Sequence, residues 1–236
     1  MLAVFKKEIH SYFTSVIGYI FLFVYLALGG GVFCLTTLFS MTADVTPFFT
    51  YMLFVTAIIL PLLTMKSFSE EKKIKTEQLL LTAPVSITGM VMGKFLAAYV
   101  MFAGCVVLNS LYFLVLNYYA VLKFVILLGN VLAMLLVGTV FVSIGLFVSS
   151  LTENQLAAAI GTISIIIGFL LISMLGSLFP SASWFRVYVL DFFSILSRFQ
   201  GFTSGYFDIA SLVYYLSVAA IFLYLTVRNY DRRRCG

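Results

Sequence analysis

The chain has 236 residues, of which 63% are hydrophobic and 10% charged, with a formal net charge of +5 and a mean hydropathy of +1.13. An average soluble domain carries roughly 25% charged residues, so a chain this apolar cannot hide its surface in one soluble core; it is a polytopic membrane protein. The net charge therefore bears on membrane orientation and not on nucleic acid, and the dispersed Cys34, Cys105 and Cys235 have neither disulfide nor metal-ligand spacing.

In chain order, Leu2, Phe5, Ile9 and Phe13 recur at helical spacing with Lys6, Lys7, Glu8 and His10 between them. That pattern predicts an amphipathic helix over residues 1–14, lying in the interface with its lysines toward anionic headgroups. The apolar run from Val16 to Phe39 is too long for the core of a secretory signal and reads as the first span. Its Gly29-Gly30-Gly31 permits close helix contact or a local distortion. A brief loop over Ser40 to Thr46 leads to the second span, Pro47 to about Met65, with Pro61 as a kink site.

Then comes the one sizeable polar island, KSFSEEKKIKTEQLLLTAPVS from Lys66 to Ser86, holding four of the eight lysines and three of the nine acids. Ser67-Phe68-Ser69-Glu70 fits a capping box, Glu71 precedes Lys75 by four residues, and Pro84 forbids an unbroken helix. A short charged helix is expected there, with a turn at Ser86-Ile87-Thr88-Gly89. Lys94 stands at the mouth of the third span, Gly93 to Leu116, where it can snorkel to the headgroups. The fourth span is Lys123 to about Val148. A tight turn over Ser149 to Gln155, with a capping box at Thr152-x-x-Gln155, precedes the fifth, Leu156 to Leu178.

Phe179 to Asp208 is too mixed to cross and rich in aromatics, so short interfacial or re-entrant helices are expected, with Trp184, Arg186 and Phe193 as an outer gate. Ile209 to Val227 is the sixth span, followed by a basic tail. With six spans, eleven of the fourteen basic residues fall on the side of the two termini; the positive-inside rule makes that side cytoplasmic. The whole is expected to be one transmembrane domain over 1–236, with segments 1–14, 66–88 and 179–208 outside the spans.

The side chains offer little chemistry. The only histidine, His10, lies in the first helix, no acid lies deep in a span, and no G-x-x-x-x-G-K-[ST] is present. A secondary carrier normally needs intramembrane carboxylates or histidines, so the pattern opposes one. Asn109 and Asn130 are expected to make interhelical hydrogen bonds. Ala157, Gly161, Ser164 and Gly168 form a small-residue stripe suited to close packing, within the chain or against a second copy.

Glu70-Glu71-Lys72-Lys73-x-x-Thr76-x-x-Leu79-Leu80-Leu81-x-x-Pro84, then Gly93-Lys94, resembles the hallmark of the type-2 ABC exporter permeases, which commonly read E-E-x-x-x-G-T-x-x-x-L-L-x-x-P and then G-K. The head, Lys7 to Ser15, and the turn Ser149 to Gln155 with Ala157-Ala158-Ala159 are similar to the same family, nearest the bacterial permeases of gliding motility and nitrous-oxide-reductase maturation. Lys75 departs from it, standing where the family usually has glycine.

The resemblance implies a half-transporter in the bacterial inner membrane. It would pair with a second copy or a homologous permease and sit on soluble ABC ATPase subunits, which would hold the ATP and Mg; the permease itself binds no cofactor. The island would be the coupling helix, with Glu70, Glu71, Lys72, Thr76 and Leu79 toward the ATPase and Thr152, Glu153 and Gln155 as a second contact. A non-transporting scaffold or sensor using the same dock is the alternative.

Overall fold

The computed structural model describes residues 1–75, 86–118, 123–175, 194–203 and 208–235; within these ranges the side chains of Leu175, Arg234 and Cys235 are outside the description. Among the described residues the chain is all-helical: α1 (Leu2–Thr14), α2 (Val16–Phe33) running into a π-helical turn (Cys34–Leu38), α3 (Thr46–Thr64), α4 (Lys66–Lys73), α5 (Ile87–Leu116), α6 (Phe124–Leu151), α7 (Gln155–Leu175), α8 (Ile195–Thr203) and α9 (Ile209–Cys235). Six helical stretches are long and apolar enough to span a bilayer, as expected: α2 with its π turn, α3 continued by α4, α5, α6, α7 and α9.

The bundle is built around α6. Its most apolar window is 72% buried and that of α3 is 61%, against 22–33% for the other four, so α6 and α3 form the centre and the rest offer faces outward. Small residues let neighbours close on α6: a Cβ at Gly138 would stand 2.1 Å from the Phe102 ring, and one at Gly145 would stand 2.1 Å from Thr64 Oγ1. In lipid, where burial of apolar surface gives no reason for helices to join, such close packing is what holds them. Helix α9 makes the most extensive contact with α6.

Several boundaries differ from the sequence reading. Helix α5 starts at Ile87, six residues before the expected span, because Ser86 caps it by accepting Gly89 N–H at 3.2 Å. Helix α6 runs through Leu151, so Ser149 and Ser150 belong to its last turn and the connection is only Thr152 to Asn154. The capping box at Thr152 and Gln155 is not formed; Asn154 starts α7 by accepting Leu156 N–H at 3.0 Å. The basic tail from Arg228 is helical, as part of α9.

Both expectations for the glycine run hold. A Cβ at Gly29 would lie 2.5 Å from the Asn109 amide, and the π turn follows within three residues of Gly31. Among the described residues the expected interhelical bonds of the two asparagines are absent. Asn130 donates to Ile126 O of its own helix at 2.8 Å, and neither polar atom of the buried Asn109 has a partner. The bond that does join α2 to α3 is Tyr25 Oη to Thr56 Oγ1, 3.0 Å.

Of the outer segment, α8 packs on α6 and α7, and the Tyr215 hydroxyl of α9 donates to Ile195 O at 2.9 Å. Arg198 lies 4.3 Å from the centre of the Tyr214 ring. Trp184, Arg186 and Phe193 lie outside the described residues, as do Thr76, Leu79 and Pro84.

Candidate functional site

The site is at the end of the bundle where α1, α4 and the start of α5 meet, and Lys94 is its centre. Lys94 is 1% exposed. Far from snorkelling to headgroups, its ammonium donates to Glu8 Oε1 at 2.8 Å and Ser67 O at 2.8 Å, and lies 2.9 Å from Glu71 Oε1. These three oxygens match the three N–H bonds of a lysine. The Phe68 ring closes a further side, 5.1 Å from Nζ. Lys7 adds a second cation 3.8 Å from Glu71, and Lys66 pairs with Glu70 at 3.2 Å. A buried charge persists only when paired and hydrogen-bonded, and this one is fully provided for.

Each element arrives there for a local reason. Gly89 and Gly93 put a groove at the start of α5 into which α1 settles: a Cβ at Gly93 would lie 3.1 Å from Val4 Cβ and 3.2 Å from Met1 O. In the Gly93-Lys94 pair, then, glycine admits α1 and lysine binds it. The inward face of α1 is Val4, Glu8 and Tyr12, one side of a helix at steps of four. Leu2 and Phe13 point outward, 78% and 49% exposed, so the predicted apolar face is only partly the buried one. Burial, and then the nearby Glu8 carboxylate, raise the Tyr12 phenol above its ordinary range, so it stays neutral here.

Helix α4 continues from α3 across a break at Met65, and Ser149 of α6 repairs the break. Its Oγ accepts Phe68 N–H and Ser69 N–H, both at 3.1 Å, and donates to Met65 O at 3.0 Å. A hydroxyl from a neighbouring helix has entered the main-chain ladder. That replaces the expected capping box, since α4 has no side-chain cap of its own. Lys72, also buried, donates to Ser150 O. Asn229 of α9 donates to the same carbonyl at 3.0 Å, and Phe68 and Tyr230 rings lie 5.0 Å apart. So one side of α4 faces α1 and α5 through Ser67 and Glu71, while the other faces α6 and α9 through Phe68 and Lys72.

The Glu71–Lys75 helical pair does not form. Helix α4 stops at Lys73, and Lys75 takes φ 60° after Ile74 N–H has bonded to Glu70 O. This is the left-handed position after a helix C-terminus, which glycine fills without strain. Lys75→Gly should therefore stabilise the protein by about 0.5–1 kcal/mol, the left-handed strain released less the extra freedom of an unfolded glycine. A thermal melt in detergent would read this as a small rise, and a fall would contradict the assigned backbone.

Of the sequence-predicted contact residues, Glu71 and Lys72 are turned into the chain, whereas Glu70 is half-buried. Glu153 is exposed, and Thr152 and Gln155 are half-buried, at the α6–α7 turn; α4 packs against α7, so both motifs share one end of the bundle. Sequence reasoning missed Glu8, Ser149 and Asn229. A carboxylate one turn from buried Val4 and Tyr12 was the available signal for Glu8.

Among the described residues, six helices long and apolar enough to cross a bilayer, packed about α3 and α6 with a buried charge cluster at one end, are the architecture of a multi-pass membrane protein. The model of the ABC-2 family transporter proteins matches residues 2–234, and the chain belongs to that family. It is thus a permease, the membrane part of an ABC transporter. A search of curated proteins finds no match.

Proposed function

We propose that this permease is the membrane half of an ATP-driven exporter, in which separate ATPase subunits hold ATP and Mg and drive the spans between two states. The termini, α4 and the α6–α7 turn then lie in the cytoplasm, the side that collects eleven of fourteen basic residues. The observation that carries the reading is the Lys94 cluster: Nζ holds α1 through Glu8 and α4 through Glu71 at once, 2.8 and 2.9 Å away. A push on α4 by an ATPase is therefore delivered together to α1, to α5 and, through Ser149 and Ser150, to the central α6. Small displacements at such a contact move whole helices because packed cores shift as units. Lys73, Ile74 and Glu153 are exposed at this end and available to the ATPase.

With the chain reconstituted beside its ATPase, Glu70→Ala/Glu71→Ala should lower substrate-dependent ATP turnover at least about tenfold, the equivalent of 1.4 kcal/mol of lost coupling. Membrane insertion should be unchanged. Wild-type turnover in the double variant would sink the proposal.

The second copy is assigned to the small-residue face of α7. Ala157 and Ser164 are exposed, Gly161 and Gly168 half-buried, and a Cβ at Gly168 would meet nothing within 4 Å. This chain leaves the face partly uncovered, and close approach of small residues is the usual way spans join. Gly168→Cys is expected to cross-link between protomers in native membranes. Its failure together with that of Ser164→Cys would move the interface elsewhere.

A further inference from the structure

An apolar groove runs between α2 and α3 near the end that carries α1, lined by Ile17, Ile20, Val24, Ile59, Leu62 and Met65, with a volume of about 220 Å³. Ile17 to Val24 covers roughly 10 Å of helix, most of the ~15 Å of hydrocarbon in one leaflet. Ile20 and Leu62 on its two walls are 54% and 42% exposed, so the groove opens to lipid. At its end it meets an open polar cleft of about 100 Å³; Ile17 lines both, and the chain steps from one to the other between Met65 and Lys66. The charged lining of the cleft is Lys7, Lys66 and Lys94 with Glu8, Glu70 and Glu71, three cations and three anions.

We infer that groove and cleft together form a seat for one glycerophospholipid with a phosphoethanolamine head group, drawn from the leaflet on the side of the termini. An acyl chain fills the groove, the phosphate lies by Lys7 and Lys66, and the ammonium by Glu70. The charge pattern selects the head group. An anionic head group would satisfy the lysines but set its charge against three carboxylates. A choline would bring a cation with no N–H to donate, whereas a primary ammonium donates charge-assisted hydrogen bonds to carboxylates. Lys7, 64% exposed at its side chain and 3.8 Å from Glu71, and Lys66, at 27% exposure, keep room for a phosphate oxygen. The seat goes beyond transport: it bridges α1, α2 and α4, so a bound lipid would brace the same helices that Lys94 joins.

The test is native mass spectrometry of the full chain, released from detergent holding equal phosphatidylethanolamine, phosphatidylglycerol and phosphatidylcholine. One phosphatidylethanolamine should be retained about fivefold or more over either competitor, a difference near 1 kcal/mol. Ile20→Trp and Leu62→Trp, from opposite walls, should each remove that retention, and Lys7→Ala/Lys66→Ala should remove the head-group preference. Equal retention of all three lipids would overturn the proposal, leaving ordinary annular lipid. Displacement of the lipid by millimolar inorganic phosphate would also overturn it, as the mark of a soluble-anion site. Should either tryptophan variant misfold, the selectivity of the unaltered protein decides alone.

Discussion

Lys94→Met is expected to be among the most damaging single substitutions in this protein. It removes two hydrogen bonds and a close ion pair, and leaves Glu8 and Glu71, each within 3 Å of the vanished ammonium, facing one another. Removing one partner of a buried ion pair costs about 3–5 kcal/mol. The lower end applies here, because the Glu8 and Glu71 side chains keep 12% and 17% of their exposure and can turn toward water. At about 3 kcal/mol, a chain of this length should lose roughly 6–12 °C of Tm. Neutralising the cluster as a whole, with Glu8→Gln and Glu71→Gln added to Lys94→Met, should restore most of that loss, since ion clusters replaced entire are often near neutral. A Lys94→Met protein that melts with the wild type would show that the cluster contributes nothing to stability.

The second large effect is expected at the bend between α1 and α2. Ser15 ends α1 in an extended conformation and caps α2, accepting Gly18 N–H at 3.3 Å. A Cβ at Gly18 would stand 1.9 Å from Tyr12 O and 2.8 Å from Tyr12 C, both main-chain atoms that no rotamer change can move. Gly18→Ala must therefore open the bend, at the upper end of the 1–3 kcal/mol typical of overpacking. Glu8 rides on α1, so the Lys94–Glu8 contact should go while Lys94–Glu71 stays. Spin labels at the exposed positions Lys6 and Ile74 would register a longer and broader separation. A wild-type distance distribution would mean that α1 is held by its other contacts alone.

How much of this could be read in advance follows from what each signal reports. Long apolar runs report a span directly, and all six were legible, with the basic residues gathered at one end. Local patterns were less dependable wherever a second helix intervened. Ser67 and Glu70 have capping-box spacing, yet the start of α4 is governed by Ser149, 80 residues away from the Ser69 amide it binds. Lys94 resembles any lysine near the end of a span, and only the return of α1 onto Gly89 and Gly93 converts it from a surface cation into a buried one. Helical spacing showed that residues 2–14 form a helix but not which face is covered, because Glu8 lies on the buried side with a cation waiting for it. Lys75 was the better signal: its departure from the family's glycine falls at a left-handed residue just past the end of α4.

The Lys94 cluster also constrains the order in which the protein can be made. Its two acids emerge from the ribosome first, Glu8 86 positions ahead of the lysine. At about 5–20 residues per second, roughly four to seventeen seconds separate their syntheses. Throughout that interval Glu8, and for its last 23 residues Glu71 as well, has no Lys94 to meet while α2 and α3 enter the bilayer, so both carboxylates must stay at the aqueous boundary. The bend at Ser15 and the break at Met65 set both acids apart from the long apolar runs of α2 and α3. Only when the start of α5 arrives can α1 swing onto it and the corner close, which makes entry of the third span the step that fixes the first two.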